Sequence, residues 1–517
     1  MATDRLDIGS HRRRTRRVAW IGLLLGIVVG GCGDDDHLPY GAPATLPALT
    51  RVHATRGATP MVADAAGRQV LLRGVNVNGL GDYYQGNPTY PTVLPLTDDD
   101  FREMAQYGFN TIRLVLSWSA LEPEPDRISD AYLARIRAAV DAAKRHGIYV
   151  VLDMHQDAWG KFIASPPGTV CSPGREPAIG WDGAPEWATF TDGKGTCRVM
   201  GVRELAPAVG TAFDNFYNDR DGIQTHLVRT WAALVRAFAA EDAIAGYDLF
   251  NEPHFATGLS GTAPRLAAFY TRLITAIRSA EREAGGFSHI VFFEPVITWP
   301  SPDTAPANFT DDTNIVFAPH NYAESITFSN SLTIEEGFTR AAEDAAAYGT
   351  TFWIGEWGWF SEPPRTQEKV VRYAREEDRH HVGGVWWQWK QACGDPHSIG
   401  TPGGTPPPEL LHFHRSTCPG DAQLGVVDEW AVILSRPYPR AAPGQLVSLE
   451  SDGIAGTLRL TGSTTASGTD LDLWVPDRGR STPRITGTGI GTPRIVEVAG
   501  GYRVFATAAG NYAVAVE

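Results

Sequence analysis

Residues 130–157 read DAYLARIRAAVDAAKRHGIYVVLDMHQD. Tyr132, Leu133, Ile136, Val140 and Ala143 recur at the spacing of one helix face, and Gly147 supplies the stop. Tyr149–His155 is then a short, mostly apolar run, as expected of a strand covered on both faces. Its end is polar: Asp153, His155, Gln156 and Asp157. A helix, a short connection and a buried strand with a polar tip make the repeating unit of an α/β fold with a parallel sheet.

The same unit recurs on both sides. Strand runs are expected at Val70–Asn76, Thr111–Trp118, Tyr149–His155, Gly246–Asn251, Ile290–Glu294, Ile315–His320, Phe352–Glu356 and Gly384–Trp389. Helical patterns fall between most of them, at Thr97–Tyr107, Asp130–Arg145, His226–Ala240, Pro264–Ala284, Ile334–Tyr348 and Thr366–Arg379. Eight such strands alternating with helices predict a (β/α)8 (TIM) barrel. The rival is a doubly wound open sheet, but no GxGxxG follows the first strand. After Pro439 the helical period disappears. Leu446–Glu450, Thr457–Thr461, Leu471–Val475, Ile495–Val498, Tyr502–Ala506 and Tyr512–Glu517 alternate or run apolar between Gly-rich turns, which predicts a small C-terminal antiparallel β-sandwich. The expected division is a signal segment at 1–31, a tether at 32–50, the barrel at 51–440 and the sandwich at 441–517.

The first residues read as an export signal. Arg12, Arg13, Arg14, Arg16 and Arg17 precede an apolar stretch, Val18–Val29, that is short for a membrane span. The stretch leads through Gly30-Gly31 to Cys32 and resembles a bacterial lipobox, which implies cleavage before Cys32, acylation of its thiol and attachment to the membrane at the cell envelope. An uncleaved anchor and a plain signal peptide are the alternatives, and Arg16-Arg17 leaves the general and twin-arginine routes open. The polar, Pro-containing run from Gly33 to Thr50 reads as the tether. Of five cysteines, four remain after Cys32. An even set in an exported chain predicts disulfides, here Cys171–Cys197 and Cys393–Cys418; a metal site is the alternative, without CxxC or HxxxH spacing to support it. The net charge of −14 and the lack of a Lys/Arg cluster beyond the first residues exclude an ordinary nucleic-acid binder. No cofactor or metal is expected, and the chain is expected to be monomeric.

In a barrel of this kind the polar strand ends face the active site. Those ends carry Arg113, the Asp153–Asp157 run, Asn251-Glu252-Pro253, Glu294-Pro295, His320-Asn321-Tyr322, Gly355-Glu356-Trp357 and Trp387-Gln388-Trp389-Lys390. Glycoside cleavage needs one protonated carboxyl to assist the leaving oxygen and one ionised carboxylate to attack the anomeric carbon. Glu252 and Glu356, after strands four and seven, are the candidates. Arg113 and Tyr322 would keep Glu356 ionised, and the charge of Glu356 would raise the pKa of Glu252. Arg113 reads equally as a bridge between barrel carboxylates, Asp153 as structural, and Glu294 as packing. Trp181 and Trp187 read as the core of a long insertion or as a substrate lip.

The ordered set resembles clan A glycosidases, and with Arg113, His155, His320-Asn321-Tyr322 and a strand-eight Trp it is similar to glycoside hydrolase family 5. Within that family, Leu152–Asp157, Gly183–Trp187 and Arg436–Arg440 resemble endoglycoceramidases. The resemblance implies Glu252 as acid/base, Glu356 as nucleophile and Asn251 on the sugar 2-hydroxyl. It implies His155 and Asp157 on the sugar at the cleavage point, Tyr322 orienting Glu356, His320 lining the pocket, and Trp387, or alternatively Trp389, beneath the sugar. The sequence departs from the pattern after Arg73-Gly74-Val75-Asn76. It continues Val77–Tyr84 in place of a Ser/Ala-rich run containing Lys, which leaves the first sugar open. The implied function is retaining hydrolysis of a glycan–lipid bond, with an apolar groove lined by Trp159, Phe162 and Ile163. A β-glucosidase or β-glucanase acting on soluble sugar is the alternative. A non-catalytic carbohydrate-binding lipoprotein has no need of the second carboxylate.

Overall fold

The computed structural model describes residues 46–258, 261–307, 309–326, 332–360, 363–479 and 482–517. The export signal, Cys32 and most of the tether lie outside them. Eight parallel strands form the central sheet: β1 (Arg73–Val77), β2 (Thr111–Ser117), β3 (Tyr149–His155), β4 (Ile244–Asp248), β5 (Ile290–Phe293), β6 (Ile315–Phe317), β7 (Ile354–Trp357) and β8 (Gly384–Trp386). Ladders run continuously from β6 back through β1 and on to β8 and β7. Parallel bridges Phe317↔Phe352 and His320↔Glu356 join β6 to β7, so the sheet closes into the barrel. Every residue of these strands is buried, which is why their sequences run apolar instead of alternating.

The helix between β2 and β3, Asp130–Arg145, shows how local sequence sets the frame. The Ser129 side chain accepts the Tyr132 N–H at its start, Lys144 and Arg145 sit in the last turn, and Gly147 (φ +68°) turns the chain into β3. Ile136, Val140 and Ala143 are buried, as the spacing predicts. Between β5 and β6 no helix forms among the described residues.

The C-terminal part is an antiparallel sandwich built on two long strands. It comprises β9 (Tyr438–Pro443), β10 (Gln445–Asp452), β11 (Thr457–Pro476), β12 (Ile485–Ile490), β13 (Arg494–Val498) and β14 (Gly501–Val516). The runs expected as four strands are the halves of β11 and β14. The β11–β14 register shifts between Thr464 and Thr469, and Gly468 (φ +79°) and Gly510 (φ +61°) supply the backbone freedom at that break. One half of the pair carries β10 and β12 and the other carries β9 and β13, and Leu446, Leu458, Leu473, Trp474, Val504 and Val514 share one core.

Three short strands at Val52–Ala54, Val62–Asp64 and Arg68–Val70 belong to this second sheet, through pairing of Arg68–Val70 with β9. The expected barrel segment of 51–440 therefore begins with residues that complete the sandwich, and the expected first strand begins at Arg73 instead of Val70. At three residues each, those strands are too short to carry a period of their own. Behind the barrel, Asp378 accepts from Arg73 of β1, from Arg436 and from Ser451 of β10, a buried knot between the two parts.

Candidate active site

At the C-terminal ends of the strands a layered charge network is buried. Arg113 of β2 lies at its base, fully enclosed. Its guanidinium bonds Asp248 (2.8 Å), Glu356 (2.7 Å), Glu294 (2.9 Å), Asn251 (2.9 Å) and Asn76 (3.3 Å), and pairs with Asp153 at 2.9 Å. Every guanidinium nitrogen is engaged, so Arg113 acts from beneath, as counter-charge to four carboxylates, and not on a ligand. Oxygens of Asp153, Asp248 and Glu294 lie close enough to suggest a cation site, but Arg113 already bonds all three.

Glu356, in β7, takes Arg113 on Oε1 and the Tyr322 hydroxyl on Oε2 at 3.1 Å. Glu252 stands beyond the end of β4 with φ +39°, a strained position for a non-glycine residue. Its backbone N–H donates to Glu294 Oε2 at 2.8 Å. His320 Nδ1 lies 3.0 Å from Glu252 and 3.5 Å from Glu356, and its Nε2 lies 3.2 Å from Glu294. A carboxylate oxygen of Glu252, one of Glu356 and a ring nitrogen of His320 fall within 4.8 Å of one another.

The proton affinities follow from this crowding. Burial opposes charge on His320, yet Glu294, Glu356 and the bond to Glu252 raise its pKa well above the ordinary imidazole value. Burial pushes the Glu294 carboxyl up to about 8. Glu252 moves the other way from the expectation. Burial raises it, but His320 and then Arg203 outweigh burial and hold it below its usual value. The expected lift from Glu356 is overridden by two cations, one of which comes from an insertion with no recognisable pattern.

A second cluster flanks these acids. His155 Nδ1 meets Asp153 at 2.7 Å, and the His155 ring stacks on Trp387 at 5.5 Å. Asp157 pairs with Arg203 at 2.6 Å and with His397 at 3.2 Å. Trp181 Nε1 and Asp182 Oδ1 are buried here without hydrogen-bond partners, the kind of atoms a sugar hydroxyl satisfies. Asn251 is almost fully enclosed, its Oδ1 taken by Arg113 and its Nδ2 by the Gln156 carbonyl. Trp389 does not share the pocket: its Nε1 donates to Asp100 and its ring stacks on Phe413.

The structure thus brings Glu252, Glu356, Tyr322, His320, His155, Asp157 and Trp387 around one space, with Arg113 and Asn251 beneath them. Sequence reasoning missed Arg203 and His397, which lie in isolated single helical turns at Arg203–Leu205 and Pro396–Ile399, and set Glu294 aside although it directly follows β5. Cys171–Cys197 and Cys393–Cys418 are both formed and tie down the flanking loops. Trp159 and Ile163, expected to line an apolar groove, are buried in the insertion's own core; Trp159 packs on Phe213, Phe216 and Trp118. Phe162 alone of that trio reaches solvent.

Comparison with known proteins agrees with this geometry. The family model "Cellulase (glycosyl hydrolase family 5)" matches residues 63–393. Endoglycoceramidase I of Rhodococcus hoagii is 31% identical over 275 residues, which cover 50% of this chain and 51% of that protein. The chain spans about half the length of the curated relatives it matches. The crystal structure of an endogalactoceramidase superposes with TM-score 0.84 at 43% identity, covering 91% of this chain and 100% of that one. The lactosyl-enzyme intermediate of endo-glycoceramidase II from Rhodococcus sp. superposes with TM-score 0.66 at 26% identity, covering 88% and 99%.

Proposed function

The chain belongs to glycosyl hydrolase family 5, and on that premise we propose that it is a retaining β-glycoside hydrolase that releases a glycan from a lipid aglycone. The observation that carries the reaction type is the approach of Glu252 and Glu356 to within 4.8 Å, oxygen to oxygen. Carboxyl groups this close leave no room for an attacking water between them, whereas about 5–5.5 Å suits direct attack and a covalent glycosyl intermediate. Glu356, paired with Arg113 and Tyr322, is the nucleophile. It attacks the anomeric carbon as Glu252 gives a proton to the leaving oxygen. Glu252, now a carboxylate, then takes a proton from the water that frees the sugar. His155, Asp157 and Trp387 hold the sugar, and the chemistry calls for no cofactor.

The lipid aglycone rests on two supports. Relatives with similar sequence and structure are named endoglycoceramidase and endogalactoceramidase. The insertion that carries Arg203 also exposes Phe162 (40%), Val170 (93%), Met200 (85%) and Leu205 (39%); such apolar surface is suited to acyl chains. We further propose that the chain is a lipoprotein anchored in the membrane through Cys32, which would keep it where such substrates reside. The test compares kcat/KM on detergent-dispersed glucosyl- and galactosyl-lipids with that on cello- and laminari-oligosaccharides. Preference for the lipids is expected. A clear preference for the oligosaccharides would promote the soluble-glucan reading, with Glu252 and Glu356 in the same roles.

A further inference from the structure

Arg203 enters the site from a single turn of 3-10 helix at Arg203–Leu205. It is held on three sides. Its guanidinium lies 4.4 Å over the Trp181 ring, its Nε bonds the neighbouring Glu204, and its Nη1 lies 3.4 Å from His397 Nε2. The turn itself is fixed by the Glu204 carbonyl, 2.9 Å from His254 Nε2. What remains is Nη2, which is shared between two carboxylates: 2.6 Å from Asp157 Oδ1 and 3.4 Å from Glu252 Oε2. Among the described residues, Arg203 and His320 are the cationic groups paired with the Glu252 carboxylate.

A general acid must carry a proton before the glycosidic bond breaks. A cation 3.4 Å from its carboxylate opposes that, and His320 opposes it from the other oxygen. Burial and the Asp157 carboxylate act in favour of the protonated form. The balance turns on Nη2, because the Asp157 contact gives Arg203 a shorter alternative pairing.

We propose that Arg203 is a positioning residue that sets the proton affinity of Glu252, and that a leaving-group oxygen entering beside Glu252 releases Nη2 to Asp157 so that the acid is charged with its proton only when substrate is in place. The inference rests on Glu252 being the acid/base. It extends that reading by giving the insertion a role in the timing of proton transfer. Arg203 itself touches no reacting atom.

The test reads Glu252 directly. The full chain is labelled with [δ-13C]glutamate, and the Glu252 resonance is identified by its loss in Glu252→Gln. Arg203→Gln should raise the pKa of that resonance by about one unit or more, the effect of removing a cation beside a carboxylate. Arg203→Lys, which keeps the charge, should restore most of the shift. The alkaline limb of kcat/KM on an aryl β-glycoside should move upward in parallel in Arg203→Gln. An unmoved Glu252 resonance in a folded Arg203→Gln protein overturns the proposal. So does a shift that Arg203→Lys leaves at the Arg203→Gln value. If the resonance shifts as expected but wild type cleaves no glycoside, the hold of Arg203 on Glu252 stands and the hydrolase reading falls.

Discussion

The main-chain N–H of Glu252 is bound by the side chain of Glu294, at 2.8 Å, where the chain passes through φ +39°. One carboxyl thereby fixes the backbone of another, and strain at Glu252 is held by the residue that directly follows the next barrel strand. Glu294→Ala removes that hold and also a partner of Arg113 and His320. A misplacement on the order of 1 Å can cost ~100-fold. kcat should fall by about 10- to 100-fold, and Glu294→Gln, which keeps an acceptor oxygen, should lose less. Equal losses in both variants would mean that the charge of Glu294, and not its grip on the backbone, is what matters.

Glu356→Gly should abolish turnover, by ~10⁴-fold or more, while the protein remains folded. Azide should then enter the vacated face and yield a glycosyl azide of inverted configuration, detectable by NMR. Normal turnover in this variant would remove Glu356 from the nucleophile role.

Glu252→Ala should cost ~10²–10⁴-fold on substrates with poor leaving groups. Activated aryl glycosides leave without much protonation, so their first step should suffer less. Pre-steady-state release of the aryl group separates the two cases; identical losses would argue against the acid/base role.

Stability should decline on the alkaline side. Although burial opposes it, the Asp153 carboxylate raises the His155 imidazole from 6.5 to about 9. A proton bound more tightly in the folded state stabilises it fully below about pH 6.5, and that contribution is lost as pH rises through about 9. Its full size is on the order of 3 kcal/mol. His397, raised to about 10 chiefly by Asp395 against burial, acts in the same direction. Tm measured from pH 6 to 10 should fall, and His155→Asn should flatten the slope between 6.5 and 9. A variant with the wild-type slope would show that His155 is not a source of the pH dependence.

Cys32→Ala should release the chain from the membrane fraction, because acyl chains would no longer be attached. Fractionation with mass analysis of the N-terminus reads this. A variant as firmly bound as wild type would rule out the lipobox.

The barrel was legible because a strand buried on both faces reads as an unbroken apolar run, as in Tyr149–His155, and an amphipathic helix keeps its period, as in Asp130–Arg145. The acids at the strand ends were legible for the same reason: Glu252 and Glu356 interrupt apolar runs at fixed places. Arg203 and His397 were not, since no period places a residue of a single helical turn, and the site carboxylates they pair with, Asp157 and Glu252, lie 46 to 240 positions away in the chain. The proton affinity of Glu252 was misjudged because His320, read from the sequence only as lining the pocket, and then Arg203, which was not read at all, outweigh burial there. In the sandwich, Thr457–Thr461 and Leu471–Val475 read as two strands because a bulge breaks their alternation, while hydrogen bonding continues on either side of it.

The short strand at Arg68–Val70 completes its pairing only with Ala441–Pro443, and Gln69 accepts the Leu446 N–H from 377 positions along the chain. On the ribosome, those first strands emerge with only one another as partners, and Arg68–Val70 waits for its outer partner through synthesis of all eight barrel strands. The nascent barrel meanwhile carries an open sheet edge, a template for pairing with other chains, and the Asp378 knot lacks Arg436 and Ser451. Maturation is therefore a closing of ends: the last residues made allow the first ones to settle, and a chain stopped near residue 440 is born with an adhesive edge, not as a smaller enzyme.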